Sequence, residues 1–162
     1  MSLGGSFDGG HYLMAERSRI SSQRERAGCA LSLNDALSTL SSSVAACLAA
    51  AVVDIRTGSV LGIHSQDTSG LDLAAAAAGE FFAGPSVLAI EETFRRFGDI
   101  NGGDPQRFEE VIVLGDGFLH FFQRSRTQAA VALVVVCRSD APLEQVLSRA
   151  RLELEGIERE MP

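Results

Sequence analysis

The sequence predicts one mixed α/β domain, on two observations. Its 162 residues are 46% hydrophobic, which is enough for a single domain with a substantial apolar core. Segments with apolar residues at helical spacing alternate with extended, β-branched segments that are bounded by glycine-containing turns. In chain order these segments predict the fold class α/β (α+β) with the succession α-β-β-α-β-β-β-α.

A first helix is predicted to begin at Ser32. The stretch Ser32–Asp35 is typical of a helix N-cap with an acidic residue three positions on, and serines 41–43 end the pattern. One face of this helix is apolar and consists of Leu33, Leu37, Leu40 and Val44.

The next segment, Ala45–Ile55, carries two opposed signals. Its alanines favour a helix, whereas the β-branched residues near its end favour a strand. Because Asp54–Ser59 is typical of a strand that enters a tight turn, we interpret the segment as the first strand of a β-hairpin, buried on both faces. Val60–Ile63 would form the second strand, and Asp54 is expected to accept hydrogen bonds from the backbone of the turn.

A long middle helix is predicted from Leu71 to Phe97, with a kink at Gly84-Pro85 and a stop at Gly98. Its apolar face consists of Leu71, Ala74, Ala75, Ala78 and Phe82 before the kink, and of Val87, Ile90, Phe94 and Phe97 after it. The other side after the kink carries Glu91, Glu92, Arg95 and Arg96. Because acids and bases lie four residues apart there, a solvated face with salt bridges is the plain explanation of this group.

Three strands and a last helix complete the chain. The strands are predicted over Phe108–Leu114, Phe118–Gln123 and Ala129–Cys137, with Gly115-Asp116-Gly117 as the hairpin turn between the first two. The last helix begins after Ser139–Pro142. Its apolar stripe consists of Leu143, Val146, Leu147, Ala150, Leu154 and Ile157.

The charge of the chain argues against nucleic acid as a partner. The net charge is −7, no lysine is present, and residues 32–162 hold ten arginines against eighteen acids. A folded part this acidic repels phosphate backbones. The longest apolar runs reach about half of the roughly 20 residues that a membrane span requires. No signal-peptide pattern opens the chain and three widely spaced cysteines give no disulfide framework, so a cytoplasmic location is expected.

Motifs for catalysis or cofactor binding are missing from the sequence. Without lysine the chain has neither a P-loop nor a Schiff-base residue, and it has no G-x-S-x-G elbow. The histidines, His11, His64 and His120, do not have the spacing of a metal-binding pair. We therefore predict no enzyme activity, no catalytic residue, no cofactor and no metal site.

The order of the segments, together with three local strings, resembles the Roadblock / dynein light chain family. Ala51–Leu61 is similar to the family's hairpin of an apolar strand, an aspartate, two variable residues, a glycine and an apolar pair. Glu110–Leu119 is similar to its second hairpin, and Ala132–Val136 to its last strand. The chain departs from the compact family pattern at Gly84-Pro85 and in a long loop over residues 99–107.

The resemblance implies a profilin-like three-layer sandwich, in which a five-stranded antiparallel sheet lies between the middle helix and the two terminal helices. Residues 32–160 would form this Roadblock-like domain. The composition of residues 1–31, with paired glycines and serines between them, predicts a flexible N-terminal tail, of which residues 1–28 are expected to be dispensable for folding. Such proteins are usually dimers in which the third strand and the middle helix meet their counterparts. On this pattern the dimer interface would consist of Ile90, Phe94, Phe97, Glu109, Val111 and Val113.

Two functions from different classes are compatible with these predictions. The resemblance implies a non-catalytic dimeric adaptor that binds another protein, such as a small Ras-like GTPase or a motility or polarity complex. Its partner surface would consist of Glu91, Glu92, Arg95 and Arg96. The alternative is a sensory module that binds a small ligand between sheet and helix, near His64 or His120. A sensor needs polar groups that converge on the ligand, whereas the predicted inward positions are almost wholly apolar, and this favours the adaptor.

Overall fold

The computed structural model describes residues 33–66, 71–101 and 107–160 of the chain. Its elements in chain order are α1 (33–43), β1 (Cys47–Asp54), β2 (Val60–Ser65), α2 (Leu71–Ala83), α3 (Pro85–Asn101), β3 (Glu110–Leu114), β4 (Phe118–Arg124), β5 (Val131–Arg138) and α4 (Leu143–Glu160). The predicted order of helices and strands is confirmed, with the middle helix divided in two. The predicted tail, the cap residue Ser32 and most of the loop that follows α3 lie outside the described residues.

The five strands form one antiparallel sheet in the order β2-β1-β5-β4-β3. β1 and β5 are central, and β2 and β3 form its two edges. Six of the eight residues in each of β1 and β5 are buried, whereas no residue of β3 is fully buried. The predicted burial of the first strand on both faces is therefore confirmed.

Helices cover both faces of the sheet and give the predicted three-layer sandwich. On one face α1 and α4 pack against the sheet, where Leu37, Phe121 and Ile157 belong to one buried cluster. On the other face α2 contributes Phe82 to a second cluster, which contains Phe122. Neighbouring residues of a strand point to opposite faces, so Phe121 and Phe122 serve different clusters.

The turn between β1 and β2 is organised by Asp54, as predicted. Its Oδ1 accepts hydrogen bonds from the backbone N–H groups of Arg56 at 2.8 Å and Thr57 at 3.1 Å. The bond from Arg56 is the main reason why the pKa of the Asp54 carboxyl lies below its usual value. Gly58 completes the turn with a φ of 68°, a left-handed conformation that glycine adopts without steric strain.

The break in the middle helix falls at Gly84, between α2 and α3, as predicted. A Cβ atom at Gly84 would overlap the carbonyl oxygen of Glu80, so the backbone passes too closely here for a side chain. The predicted stop at Gly98 is wrong, because α3 continues to Asn101. One glycine costs a helix about 1 kcal/mol relative to alanine, which is too little to end it when hydrogen bonding continues. Within the described ranges, no helix is both long and apolar enough to cross a membrane.

Candidate protein-interaction surface

Helix α3 keeps most of its large apolar side chains at the surface of the single chain. Ile90, Phe94 and Phe97 are 43%, 42% and 61% exposed, and they lie along one stripe of the helix. Leu88 is also exposed, on a different side of the same helix. A helix that packs fully on a sheet buries its apolar stripe, so α3 has an apolar face that the described chain leaves open.

The open stripe of α3 lies beside the beginning of β3. The ring of Phe94 is 6.4 Å from that of Phe108, with an edge-to-face orientation. Phe108 is two residues before β3, and its backbone N–H donates a hydrogen bond of 2.8 Å to Glu91 of α3. The exposed apolar face of the helix and the edge of the sheet therefore belong to one region of the surface.

β3 is exposed on both faces as well as along its edge. Val111 and Val113 lie on the sheet face that carries the second core cluster, which we call the α2/α3 face. Val111 packs against that cluster, and Val113 is exposed. Ile112 and Leu114 point to the other face and are both exposed, Leu114 by 67%. An edge strand with apolar residues on both faces and no proline is a template for pairing with another strand.

The hydrogen bonds of β3 identify which backbone groups face outward. Arg124 N–H donates to Glu109 C=O, and Gly115 N–H donates to Phe118 C=O. These two bonds mark residues 109 and 115 as members of hydrogen-bonded pairs with β4. Hydrogen-bonded and non-hydrogen-bonded pairs alternate along an antiparallel ladder, so residues 110, 112 and 114 direct their N–H and C=O groups away from β4. Glu110, Ile112 and Leu114 thus present the open edge. We call this edge, together with Ile90, Phe94 and Phe97, the α3–β3 surface.

A row of aromatic side chains on β4 borders this surface on the α2/α3 face. Phe118 is 51% exposed, its ring lies 6.3 Å from that of His120, and His120 stacks on Phe122 at 6.4 Å. His120 is half-buried, and burial lowers its pKa below the usual value. Val113 lies opposite His120 in the ladder, so the histidine belongs to the margin of an apolar surface and favours its neutral form.

Glu91 departs from the prediction that it shares a solvated face with its charged neighbours. Its side chain is only 13% exposed and turns toward the sheet, where Oε1 lies 3.7 Å from Nη1 of Arg124. Arg124 is 11% exposed, donates through Nη2 to the carbonyl oxygen of Phe82 and lies over the Phe82 ring at 5.0 Å. Because Glu91 also binds the backbone of Phe108, it joins α3 to β4 and to the segment before β3.

The other three charged residues of α3 form an exposed cluster. Glu92 accepts hydrogen bonds from Nε of Arg95 at 2.8 Å and from Nε of Arg96 at 3.0 Å. The bonds from Arg95, and next those from Arg96, lower the pKa of Glu92 to about 2, so it is ionised at neutral pH. The structure therefore brings Glu92, Arg95 and Arg96 together and separates Glu91 from them.

The predicted interface residues also divide into two groups. Ile90, Phe94, Phe97 and Val113 are exposed, as an interface of the free chain requires. Val111 packs mostly inside, and the exposed Glu109 lies 3.3 Å from Arg126. Ile112, Leu114 and Phe118, which the prediction did not include, are exposed large apolar residues in the same region. The unbroken apolar run of β3, which leaves neither face polar, is the signal that could have found the first two.

The two histidines named for the alternative ligand site, His64 and His120, do not lie together in the fold. His64 lies on β2 opposite Ala50, on the α1/α4 face, whereas His120 lies on the α2/α3 face. A cleft between β4 and α4 is lined by Gln123, Arg126, Arg151, Leu154, Glu155 and Glu158, so it contains neither histidine. Among the described residues, no group of three or more His, Cys, Asp or Glu side chains could hold a metal ion.

Comparison with solved structures places this architecture among known folds. The Roadblock/LC7 domain from Streptomyces avermitilis is similar with a TM-score of 0.58 at 20% identity, over 78% of this chain and 94% of that one. The gliding protein MglB from Thermus thermophilus is similar with a TM-score of 0.59 at 18% identity, over 82% and 90%. The chain has the Roadblock fold. MglC from Myxococcus xanthus is similar with a TM-score of 0.52 at 15% identity, over 80% of this chain and 99% of that one.

The Roadblock fold is established here by structure rather than by sequence. No protein-family model matches the sequence, and no curated protein matches it either. The chain covers 94%, 90% and 99% of these three neighbours, so the similarity extends over nearly the whole of each. Identities of 20% or less carry the fold and not the roles of particular residues.

Proposed function

We propose that this Roadblock protein is a homodimeric, non-catalytic adaptor that binds a small Ras-like GTPase or another component of a motility or polarity complex. The observation that supports it most is the α3–β3 surface, in which an open sheet edge lies beside a helix with an exposed apolar face. A surface of this kind fits a protein and not a small molecule, because it is broad and apolar and does not enclose a cavity.

A second copy of the chain satisfies both parts of the surface. Two β3 strands that pair antiparallel about a two-fold axis would use the outward-facing groups of Glu110, Ile112 and Leu114 and extend the sheet across both subunits. About half of each side chain is still exposed at Ile90, Phe94 and Phe97. Its burial would stabilise the dimer by about 1 kcal/mol per residue, or about 6 kcal/mol for two subunits. Association costs about 4–15 kcal/mol, so the dimer needs the paired edges as well as the helices.

The second partner would contact the exposed charges of α3. In a two-fold dimer built on the apolar stripe of α3 and on β3, Glu92, Arg95 and Arg96 lie on the opposite side of each α3 helix and would stay exposed as a mixed-charge patch on each subunit. Exposed ion pairs of this kind add little stability but influence partner choice and the rate of encounter. The name of one structural neighbour, a gliding protein, and the resemblance to GTPase-associated Roadblock proteins support a motility-related partner.

The dimer is tested by a charge placed within the apolar stripe. Wild type is expected to elute with twice the subunit mass of 17.2 kDa by light scattering, and Ile90→Glu with the mass of one subunit. Ala89→Glu is the matched control, because it adds the same carboxylate to an exposed position about 100° around the helix. A monomeric wild type at micromolar concentration would refute the homodimer, and an unchanged dimer in Ile90→Glu would refute the α3 stripe as its interface.

The partner is tested by capture on the immobilised chain from native cytoplasm, with GTP analogue or with GDP. We expect a Ras-like GTPase to be identified by mass spectrometry in one nucleotide state. Arg95→Glu with Arg96→Glu should lose this protein while the fold and the dimer persist. Arg149→Glu with Arg159→Glu makes the same change of charge on α4 and should retain it. If the α3 variant retains the GTPase, the charged patch is not the partner surface.

A further inference from the structure

Two cysteines that the proposed function leaves unused face each other at the centre of the sheet. Cys47 is the first residue of β1, and Cys137 is its ladder partner on β5. Both are free thiols in the core cluster on the α1/α4 face. They are far apart in the sequence, so only the antiparallel pairing of β1 with β5 brings them together.

The backbone hydrogen bonds indicate which class of ladder position the two cysteines occupy. Arg138 N–H donates to Ala46 C=O at 3.0 Å, so residues 46 and 138 are a hydrogen-bonded pair, and the N–H of Cys47 donates to Val44 C=O at 3.3 Å. Cys47 and Cys137 are therefore a non-hydrogen-bonded pair, the class in which antiparallel Cα atoms approach to about 4.5 Å. Disulfides span Cα separations of about 4.4–6.8 Å, so the bond can form without separation of the strands.

The two thiols differ in acidity and in access. A hydrogen bond from Cys137 is the main cause that lowers the pKa of Cys47 to about 7, whereas the same bond and burial raise the pKa of Cys137. Cys47 is 6% exposed and Cys137 is fully buried. Cys47 also lies at an irregular place, between Ala46 with a φ of 61° and a register shift before Ala49. A small oxidant can therefore reach Cys47 first.

We propose that Cys47 and Cys137 are a peroxide-reactive dithiol that closes to an intramolecular disulfide between the two central strands. The thiolate of Cys47 attacks one oxygen of the peroxide, the O–O bond breaks, and Cys47 becomes a sulfenic acid as hydroxide leaves. The thiol of Cys137 then attacks the Cys47 sulfur, an S–S bond forms, and the hydroxyl leaves as water with the proton of Cys137. Two thiols are oxidised and one hydrogen peroxide is reduced to two waters.

The bond would close a loop that contains β1, β5 and every element between them. Cross-links that close long loops reduce the freedom of the unfolded chain most, so the oxidised protein should unfold at higher denaturant than the reduced protein. This effect belongs to the subunit, and it is independent of whether the α3–β3 surface forms a dimer.

The test uses the full chain with Cys29→Ser, so that Cys47 and Cys137 are the only thiols. Treatment with hydrogen peroxide should remove two hydrogen atoms from the intact mass, and digestion should give one peptide pair linked through Cys47 and Cys137. The urea midpoint should rise on oxidation and return to its original value with dithiothreitol. Two free thiols after peroxide treatment, or a midpoint that does not change, would overturn the proposal.

Single variants assign the order of the two steps. With Cys137→Ala, the sulfenic acid at Cys47 has no internal thiol to react with and should be trapped by dimedone. With Cys47→Ala, the buried Cys137 should remain a free thiol under the same treatment. Dimedone adducts on Cys137 instead of Cys47 would contradict the assignment. If either variant fails to fold, the linked peptide in the Cys29→Ser chain still decides the proposal.

Discussion

Glu91 and Glu92 are neighbours in the sequence with opposite roles in the structure. The side chain of Glu92 is 40% exposed and is bound by two arginines of its own helix, whereas that of Glu91 is 13% exposed and contacts Arg124 and the backbone of Phe108. The charge pattern predicts that both lie on a solvated face, because spacing along a helix gives the position of a residue on that helix and not the elements that pack beside it. The 100° between successive residues of a helix is enough to turn one carboxylate to solvent and the next to the sheet.

The buried pair predicts that the two glutamates differ sharply in their effect on stability. Glu91→Ala leaves Arg124 with an unmatched charge and removes the acceptor of Phe108 N–H, so we expect a loss of about 2–3 kcal/mol in the free energy of unfolding. Glu92→Ala, as the control, should leave it nearly unchanged. Urea unfolding measures both. Arg124→Met combined with Glu91→Leu should recover much of the loss, and equal effects of the two alanine variants would contradict this account.

His120 predicts a dependence of stability on pH. Its pKa is lowered in the folded chain by burial, so between the usual value of about 6.5 and the lowered value the unfolded chain binds more protons. The contribution of neutral His120 to the free energy of unfolding is therefore fully present above about pH 6.5 and is lost as the pH falls through the pKa of the folded chain. The urea concentration at the unfolding midpoint should decrease when the pH is lowered from about 7.5 to about 5.5, and His120→Asn should reduce this decrease. An unchanged pH dependence in the variant would exclude His120 as its source.

At the scale of elements, α3 and β3 follow their sequence signals in type but not in environment. The apolar stripe of α3 and the apolar run of β3 are typical of buried elements, and most of both is exposed in the part of the chain that the structure describes. The reason is their position in the fold. β3 is an edge strand of the sheet, and α3 lies beside the first residues of β3. An apolar pattern shows that an element is to be covered, and the fold decides whether the same chain covers it.

The alternation of backbone groups in β3 predicts that proline has opposite effects at adjacent positions. Ile112 directs its N–H away from β4, so Ile112→Pro removes only a donor at the open edge and should leave the fold intact while the dimer is lost. Val113 directs its N–H into the ladder with His120, so Val113→Pro should lower the unfolding midpoint strongly. Sedimentation and urea unfolding of both variants measure this contrast. A dimer that persists in Ile112→Pro would show that β3 is not the pairing edge.

At the scale of the whole molecule, the two faces of the sheet and its β3 edge differ in chemistry. The α1/α4 face contains the larger buried cluster and the facing cysteines, the α2/α3 face contains the smaller cluster and His120, and the β3 edge is open. The proposed dimer uses the edge and the proposed dithiol lies in the core. Their tests are therefore independent, because neither set of variants touches the residues of the other.

The sequence by itself determined the order of elements, the break at Gly84, the turn at Asp54 and the apolar residues of each core. These features depend on local spacing, turn chemistry and backbone sterics, which neighbouring residues carry. Only the tertiary structure decided that Glu91 pairs with Arg124, that Ile112 and Leu114 lie exposed, and that Cys47 faces Cys137. Each of these depends on strand order and register, since the partners are far apart in the chain and are brought together only when the sheet forms.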